Sequence, residues 1–454
     1  VMKGEDLMKL DLINGKPGRS MFLFALPMII GNLFQQFYNM ADSVIVGNLV
    51  GEEALAAVGA SYSFTTVFIM VAIGSGMGAS VLASQYLGAK KYREMKTSIY
   101  TFLIAFGMFS VLMALLGFFV NPAILRALKT PDNIFADAVL YLQIYFAGLP
   151  FMFMYSILSA NFNALGKSQI PLILLIFSSV LNVVLDLWMV AGLRLGVAGV
   201  AIATVIAQGV SSVISFVILM RLLKEYETEG AVKKFDSGMF AGGVRIAVPS
   251  IIQQSIVSIG MLLTQSAVNQ FGSSAVAGYS AGMRLESVCV VPMIASGNAM
   301  STFTAQNLGA GNTKRVGEGY RAAFRIVIGF GAGLILISQF FYGPIISMFV
   351  SAAESPEAFS TGTAYLKFTG WFFAFLGFKS VTDGVLRGAG DVKVYMIANL
   401  INLGIRVSVA QLCSPVFGIQ FVWYAVPLGW FVNFAISYLW YRTGNWKEKK
   451  LIES

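Results

Sequence analysis

The sequence predicts an all-α polytopic membrane protein with twelve transmembrane helices in two parallel six-helix repeats. Three observations carry this reading. The 454 residues are 57% hydrophobic and only 12% charged, with a mean hydropathy of +0.75, far from the balance of a soluble domain. Apolar runs of about 20 residues, the length that crosses a bilayer, recur along nearly the whole chain. Finally, the chain repeats itself at an offset of about 221 residues. Ala25-Leu26-Pro27-Met28-Ile29-Ile30 returns as Ala247-Val248-Pro249-Ser250-Ile251-Ile252, and Ala54-Leu55-Ala56 as Ala275-Val276-Ala277. Gly76 returns as Gly297, Ser84-Gln85-Tyr86-Leu87-Gly88-Ala89 as Ala305-Gln306-Asn307-Leu308-Gly309-Ala310, and Leu181-Asn182 as Ile401-Asn402.

In order, the apolar runs place the first six helices at residues 20–48, 54–85, 97–120, 134–163, 169–191 and 197–221. The second six fall at 245–270, 275–305, 320–343, 358–386, 392–413 and 417–441. An even number of spans per repeat makes both repeats insert with the same orientation, so they are parallel rather than inverted. The expected domains are an N-terminal tail (1–19), an N-lobe (20–221), an interlobe linker (222–244), a C-lobe (245–441) and a C-terminal tail (442–454). The linker, with Glu225, Glu227, Glu229, Lys233 and Lys234, is the one long polar stretch and is expected to be partly helical on the membrane surface. Gly74-Ser75-Gly76-Met77-Gly78 lies within an apolar run, where small residues serve close helix packing rather than a phosphate cradle.

Charge orients the map. Lys90, Lys91, Arg93, Lys96, Lys167, Arg221, Lys224, Lys233, Lys234, Arg245, Lys314, Arg315, Arg321, Arg325, Arg387 and Lys393 fall on one side of the membrane. With the tails, that side holds 24 basic residues, against Arg126, Lys129 and Arg194 on the other. The positive-inside rule then puts both termini in the cytoplasm, and the expected location is the cell membrane, multi-pass. The net charge of +9 is a topology signal, and no nucleic-acid partner is needed to explain it. The chain has no histidine, which excludes His-ligated metals, His-activated nucleophiles and His proton relays. Cys289 and Cys413 both fall inside spans, where packing is the expected role. No enzyme motif, metal set or cofactor is expected; the partners anticipated are small molecules and membrane lipids, with the protein a monomer.

Ionisable groups inside the spans carry the chemistry, because a charge at bilayer depth is costly. They are Asp42, Asp186, Arg284, Glu286, Lys367, Lys379, Asp383 and Arg406. Asp42 lies roughly 12 Å below the outer end of the first helix. Asp186 lies at a similar depth on the fifth helix, with Asn182 one turn away on the same face, and Thr204 reaches that layer on the sixth. Gln35, Tyr38, Asn39 and Asp42 fall at i, i+3, i+4 and i+7, a single polar stripe on an apolar helix. Facing lipid, that stripe would be left unsatisfied, so it faces the lobe interior or a watery cavity. It serves either as a hydrogen-bonded pin between helices or as a binding site.

The parallel repeat, the opening LFALPMIIGNLFQQFYNMADSVIVGNLVGEEALAAVG, SQYLGAKK after the second span and NVVLD in the fifth resemble the MATE (multidrug and toxic compound extrusion) transporters. The similarity covers essentially the whole chain and is closest to the prokaryotic branch related to the DNA-damage-inducible protein F type. It implies a V-shaped pair of lobes, alternating access, and export of cationic or amphipathic compounds in exchange for protons or sodium ions. It also implies a cation-coupling site at Asp42, Asn182, Asp186 and Thr204; Ser156 or Ser159 is the nearest polar candidate on the fourth helix.

The second repeat has diverged. Arg406 stands where Asp186 repeats, and Thr264 where Asp42 does. Gln254, Ser258, Gln265 and Asn269 line one face of the seventh helix, and Asn402 and Arg406 sit at i and i+4 on the eleventh. Two readings stay open for Glu286, Arg284 and Arg406: mutual neutralisation, or a polar wall of a substrate cavity. With Gln35, Tyr38 and Asn39, the cavity set is Gln254, Gln265, Asn269, Glu286 and Arg406. Lys379 and Asp383 are expected to snorkel or to form an inner gate. Pro27 removes a backbone hydrogen bond in the first helix and marks a bend. The alternatives are a lipid-linked precursor flippase and a non-transporting membrane receptor or scaffold.

Overall fold

The computed structural model describes residues 11–127, 130–449 and 451–452. The first half contains α1 (Pro17–Leu49), α2 (Glu52–Gly88), α3 (Tyr92–Ala127), α4 (Asp132–Ala164), α5 (Gln169–Asp186) and α6 (Gly196–Lys224). The second contains α7 (Ser237–Asn269), α8 (Ser273–Cys289), α9 (Val291–Gly309), α10 (Thr313–Phe340), α11 (Tyr342–Ser347), α12 (Pro356–Gly370), α13 (Phe373–Ala389), α14 (Val392–Ser408), α15 (Ser414–Phe417) and α16 (Gln420–Thr443). Among the described residues no strand occurs. Long helices are what an apolar environment demands, since every backbone N–H and C=O must be paired within the segment. Phe119, Phe340 and Met348 are among many large apolar side chains left on the outside, as a lipid-facing surface requires.

Eleven of these helical stretches are long and apolar enough to span a membrane. The expected tenth span is the exception. It is broken at Trp371 and Phe372 into α12 and α13. Gly370 at the break lies so close to Ser338 of α10 that a side chain there would collide with its hydroxyl. The expected eighth span also breaks, at Val290, where Pro292 opens the next helix without a donor N–H. The linker departs from expectation as well: α6 ends at Lys224, α7 begins at Ser237, and the stretch between is irregular rather than helical. Asp236 caps the entry to α7 by accepting from the Met239 N–H at 3.0 Å, while its own N–H donates to Thr101 of α3 at 2.9 Å.

Two compact units divide the chain, one of residues 30–251 and the other of residues 1–29 with 252–454. The boundaries fall inside α1 and α7, just past Pro27 and Pro249. In the 30–251 unit, Phe64, Phe68 and Phe146 meet edge-to-face around a core that includes Leu142, Leu149 and Phe153. Gly74 and Gly78 let α7 approach α2: an added Cβ would lie 2.6 Å from Ile251 and 2.6 Å from the Gly243 carbonyl. The small residues of this stretch therefore serve packing, as the sequence suggests. In the other unit, Gly297 takes the same role, with an added Cβ 2.5 Å from the Ser380 carbonyl of α13.

Before α1, the chain is tied to the 252–454 portion of its own unit. Leu12 is buried, and its carbonyl accepts from Asn307 Nδ2 at 3.1 Å and Arg315 Nε at 3.3 Å. Asp11 folds the turn by accepting from the N–H groups of Ile13 and Asn14 at 2.8 and 2.9 Å. Burial pushes the Asp11 carboxyl up, but these bonds, the Asn14 amide and the Arg315 charge outweigh it and hold the carboxyl below its usual range.

Candidate functional site

In the 30–251 unit, a polar layer forms where α1, α5 and α6 meet. Val46 of α1, Val190 beyond α5, and Val197 and Val200 of α6 form one apolar cluster that brings the three elements together. Next to it lies Asn182, 1% exposed. With its amide oxygen turned to the Thr204 N–H at 3.1 Å, the amide nitrogen donates to Asp186 Oδ2 at 3.1 Å and to the Tyr38 hydroxyl. Asp186 is fully buried. Thr204 Oγ1 donates back to the Val200 carbonyl at 3.0 Å.

Tyr38, Asn182, Asp186 and Thr204 therefore converge, as their depths and helical spacing suggest. Asp42 lies on α1 between Tyr38 and Val46, but its side chain is outside the described residues. Gln35 and Asn39 bond to one another at 3.0 Å. On α4, Ser159 sits one turn from Tyr155, whose hydroxyl donates to the Pro171 carbonyl at 3.4 Å.

Directly after Asp186 the helix widens into a π segment, Leu187–Gly192. The homologous place in the second repeat does the same: Val409–Cys413 is a π segment three residues past Arg406. Such wide turns gather at functional positions because they free or redirect backbone and side-chain groups. Hydropathy carries no signal for them.

In the unit containing residues 252–454, Glu286 of α8 is buried and accepts from the hydroxyl of Tyr365 on α12. Sequence reasoning passed over Tyr365, since a tyrosine in an apolar run does not stand out as a polar partner. The two readings for Glu286, Arg284 and Arg406 are mutual neutralisation and a polar cavity wall. Neither arginine is among the ion pairs of the described residues, and Arg284 is exposed. On α7, Gln265 bonds to Asn269 at 2.9 Å, Gln254 is half-buried, and Thr264 bonds to its own helix at the Gly260 carbonyl.

Lys379 and Asp383 do not snorkel. They form a buried ion pair at 3.2 Å on α13, and Asp383 also accepts from Asn399 at 3.2 Å and Ser437 at 2.8 Å. Two charges this well enclosed are held by each other and by neighbouring hydrogen bonds. Lys367 instead lies over the ring of Tyr342, 4.5 Å from its centre.

Duplicated apolar helices around a buried carboxylate layer define a multi-pass membrane protein of transporter type. The MatE family model matches residues 27–188 and 249–412, one match per repeat. The chain belongs to the MatE family of multidrug efflux transporters. It is 30% identical to the probable multidrug resistance protein YpnP of Bacillus subtilis, over 97% of this chain and 98% of that protein. It is 24% identical to the probable multidrug resistance protein NorM of Thermotoga maritima, over 96% and 94%. The fold matches the crystal structure of a MATE protein in complex with MaL6 with a TM-score of 0.88, at 21% identity, covering 99% of this chain and all of that one.

Proposed function

We propose that the protein is a secondary active exporter of cationic or amphipathic small molecules, driven by inward flow of protons or sodium ions. The observation that carries the reading is Asp186, fully buried among apolar helices with an amide and a hydroxyl network assembled beside it. A carboxylate so placed is costly unless it is used, and its use here is to take up and release a small cation. Asp42, one turn along α1 from Tyr38, is taken as the second carboxylate of the site. Binding of the cation neutralises the layer, loosens the hold of Tyr38 on Asn182 and favours expulsion of the bulky substrate. The N-lobe (20–221) and C-lobe (245–441) alternate access between them, with Pro27 and Pro249 as the bend points and both termini cytoplasmic.

The flippase alternative draws on basic residues in the second repeat. Lys379 is committed to Asp383, which weakens that reading. The test is flux in proteoliposomes under separately imposed proton and sodium gradients. Asp42→Asn and Asp186→Asn should each abolish gradient-driven export while leaving the protein folded. Full export by either variant would reduce the layer to a structural pin. Cation-independent flux in the unaltered protein would overturn antiport altogether.

A further inference from the structure

An open groove of about 440 Å³ is shared by α3, α4 and α6 within the 30–251 unit. Gly107 and Val111 line it from α3, Phe151 and Met154 from α4, and Val213 and Phe216 from α6. Val111, Phe151, Val213 and Phe216 are all exposed. Two serines also border the groove, but each hydroxyl is spent on its own helix. Ser110 donates to the Gly107 carbonyl at 2.7 Å and Ser212 to the Gly209 carbonyl at 3.0 Å. An occupant therefore meets hydrocarbon and no free polar side chain, the surface that suits an acyl chain.

Basic residues stand at one end of it. Lys96, Tyr100, Leu103 and Gly107 fall at i, i+4, i+7 and i+11 on one face of α3, and Val213, Phe216, Met220 and Lys224 fall at i, i+3, i+7 and i+11 on one face of α6. That spacing puts each lysine roughly 16 Å along its helix from the groove, close to half the thickness of a bilayer's hydrocarbon core, about 15 Å. The rings of Tyr92 and Tyr226 meet 5.2 Å apart, which sets the start of α3 beside the end of α6 and brings both lysines to the same end. Lys224 is exposed. Lys96 is only 9% exposed, yet it has no hydrogen-bond or ion-pair partner among the described residues. Its neighbour Glu94 is committed to Arg93 at 3.1 Å. An enclosed ammonium group lacking an anion is costly, and an arriving phosphate would relieve that cost.

We propose that the groove and the two lysines form a site for one anionic phospholipid of the leaflet that borders the basic loops. One acyl chain lies in the groove, and the phosphate is held by Lys96 and Lys224. The depth of the groove below the lysines matches the reach of a chain that ends near the bilayer centre. A headgroup without its own cation, such as phosphatidylglycerol, fits two lysines better than a choline headgroup, whose ammonium they would repel. The site is separate from the Asp186 layer and does not depend on which ion drives export.

The test uses purified, delipidated full-length protein and native mass spectrometry, which resolves each bound lipid and yields its Kd. The probes are phosphatidylglycerol and phosphatidylcholine with identical palmitoyl and oleoyl chains, and glycerol phosphate as a headgroup without chains. The unaltered protein should bind phosphatidylglycerol about tenfold more tightly than phosphatidylcholine, the scale of one charge-assisted hydrogen bond. Lys96→Met should erase that ratio while leaving phosphatidylcholine affinity unchanged, and Lys96→Arg should keep most of it. Gly107→Leu, whose Cβ would sit at an ordinary 3.5 Å from Met154 Cε, should fill the groove and weaken both lipids. Equal affinity for the two lipids in the unaltered protein would overturn the site, as would unchanged binding in Gly107→Leu. Equal weakening of both lipids in Lys96→Met would make the lysine structural and overturn the phosphate contact. Glycerol phosphate bound as tightly as phosphatidylglycerol would mean a free-phosphate site and overturn the lipid. Should Lys96→Met fail to fold, the ratio in the unaltered protein and the response of Gly107→Leu still decide.

Discussion

Replacing Asn182 by leucine keeps the branched side-chain shape at the centre of the polar layer and removes its hydrogen-bonding atoms. The structure gives three contacts to lose: the bond to Asp186 Oδ2, the bond to the Tyr38 hydroxyl and the bond from the Thr204 N–H. Neutral bonds contribute about 0.5–1.5 kcal/mol net and a bond to a carboxylate about 1.5–3. The gross loss is therefore about 2.5–6 kcal/mol. Tyr38 is half-buried and can find water, so the expected cost is about 3 kcal/mol, a large share of an ordinary stability of about 5–15. Equilibrium unfolding in mixed detergent and dodecyl sulfate micelles reads it, with Trp188 in the π segment beside Asp186 among the fluorescent reporters. A second arm adds Tyr38→Phe and the double variant. The double variant should cost about 1 kcal/mol less than the sum of the singles, because the two residues share a bond. A loss below about 1 kcal/mol for Asn182→Leu, or strict additivity with Tyr38→Phe, would refute the claim that this network holds the layer together.

Three further outcomes are expected. Lys379→Met should destabilise by about 3–5 kcal/mol by leaving Asp383 buried without its cation, whereas Lys379→Met with Asp383→Leu should recover most of that; the same unfolding assay decides. Cysteines placed at Glu53 and Glu354 should label from outside intact cells and one at Lys233 should not, and outside labelling of the last would reverse the charge argument. A carboxyl held below its unfolded range, like that of Asp11, stabilises the turn at all pH values above about 4 and loses that contribution as pH falls through its lowered native value. Hydrogen exchange at the Ile13 and Asn14 amides should therefore stay slow down to about pH 4 and speed up below it relative to Asp11→Ala, in which exchange is fast throughout.

The sequence made much of this architecture readable because the bilayer imposes a simple code. Length and hydropathy mark a helix such as α4, and the spacing from Asn182 to Asp186 puts both side chains on one face whatever their partners. What stayed hidden depends on fit between helices. The break between α12 and α13 coincides with a close approach of Gly370 to Ser338 and leaves no mark on hydropathy. The Lys379–Asp383 pair reads as two stray charges until Asn399 and Ser437 are seen to enclose it. Glu286 was visible as an oddity, but its partner Tyr365, 79 positions further along the chain, looks from sequence like any other aromatic residue in an apolar run.

The paired π segments bear on ancestry and on engineering. Val409–Cys413 falls at the position that the duplication assigns to the end of Leu187–Gly192, although the side chains just before them have parted from aspartate to arginine. The backbone irregularity has outlasted the charge it adjoins, so the main-chain contour is older than its polarity. A buried carboxylate layer like that around Asp186 could be grafted into the later repeat by exchanging side chains around position 406, with no redesign of the main chain. The same inheritance explains how one duplicated scaffold can present opposite charges from equivalent positions.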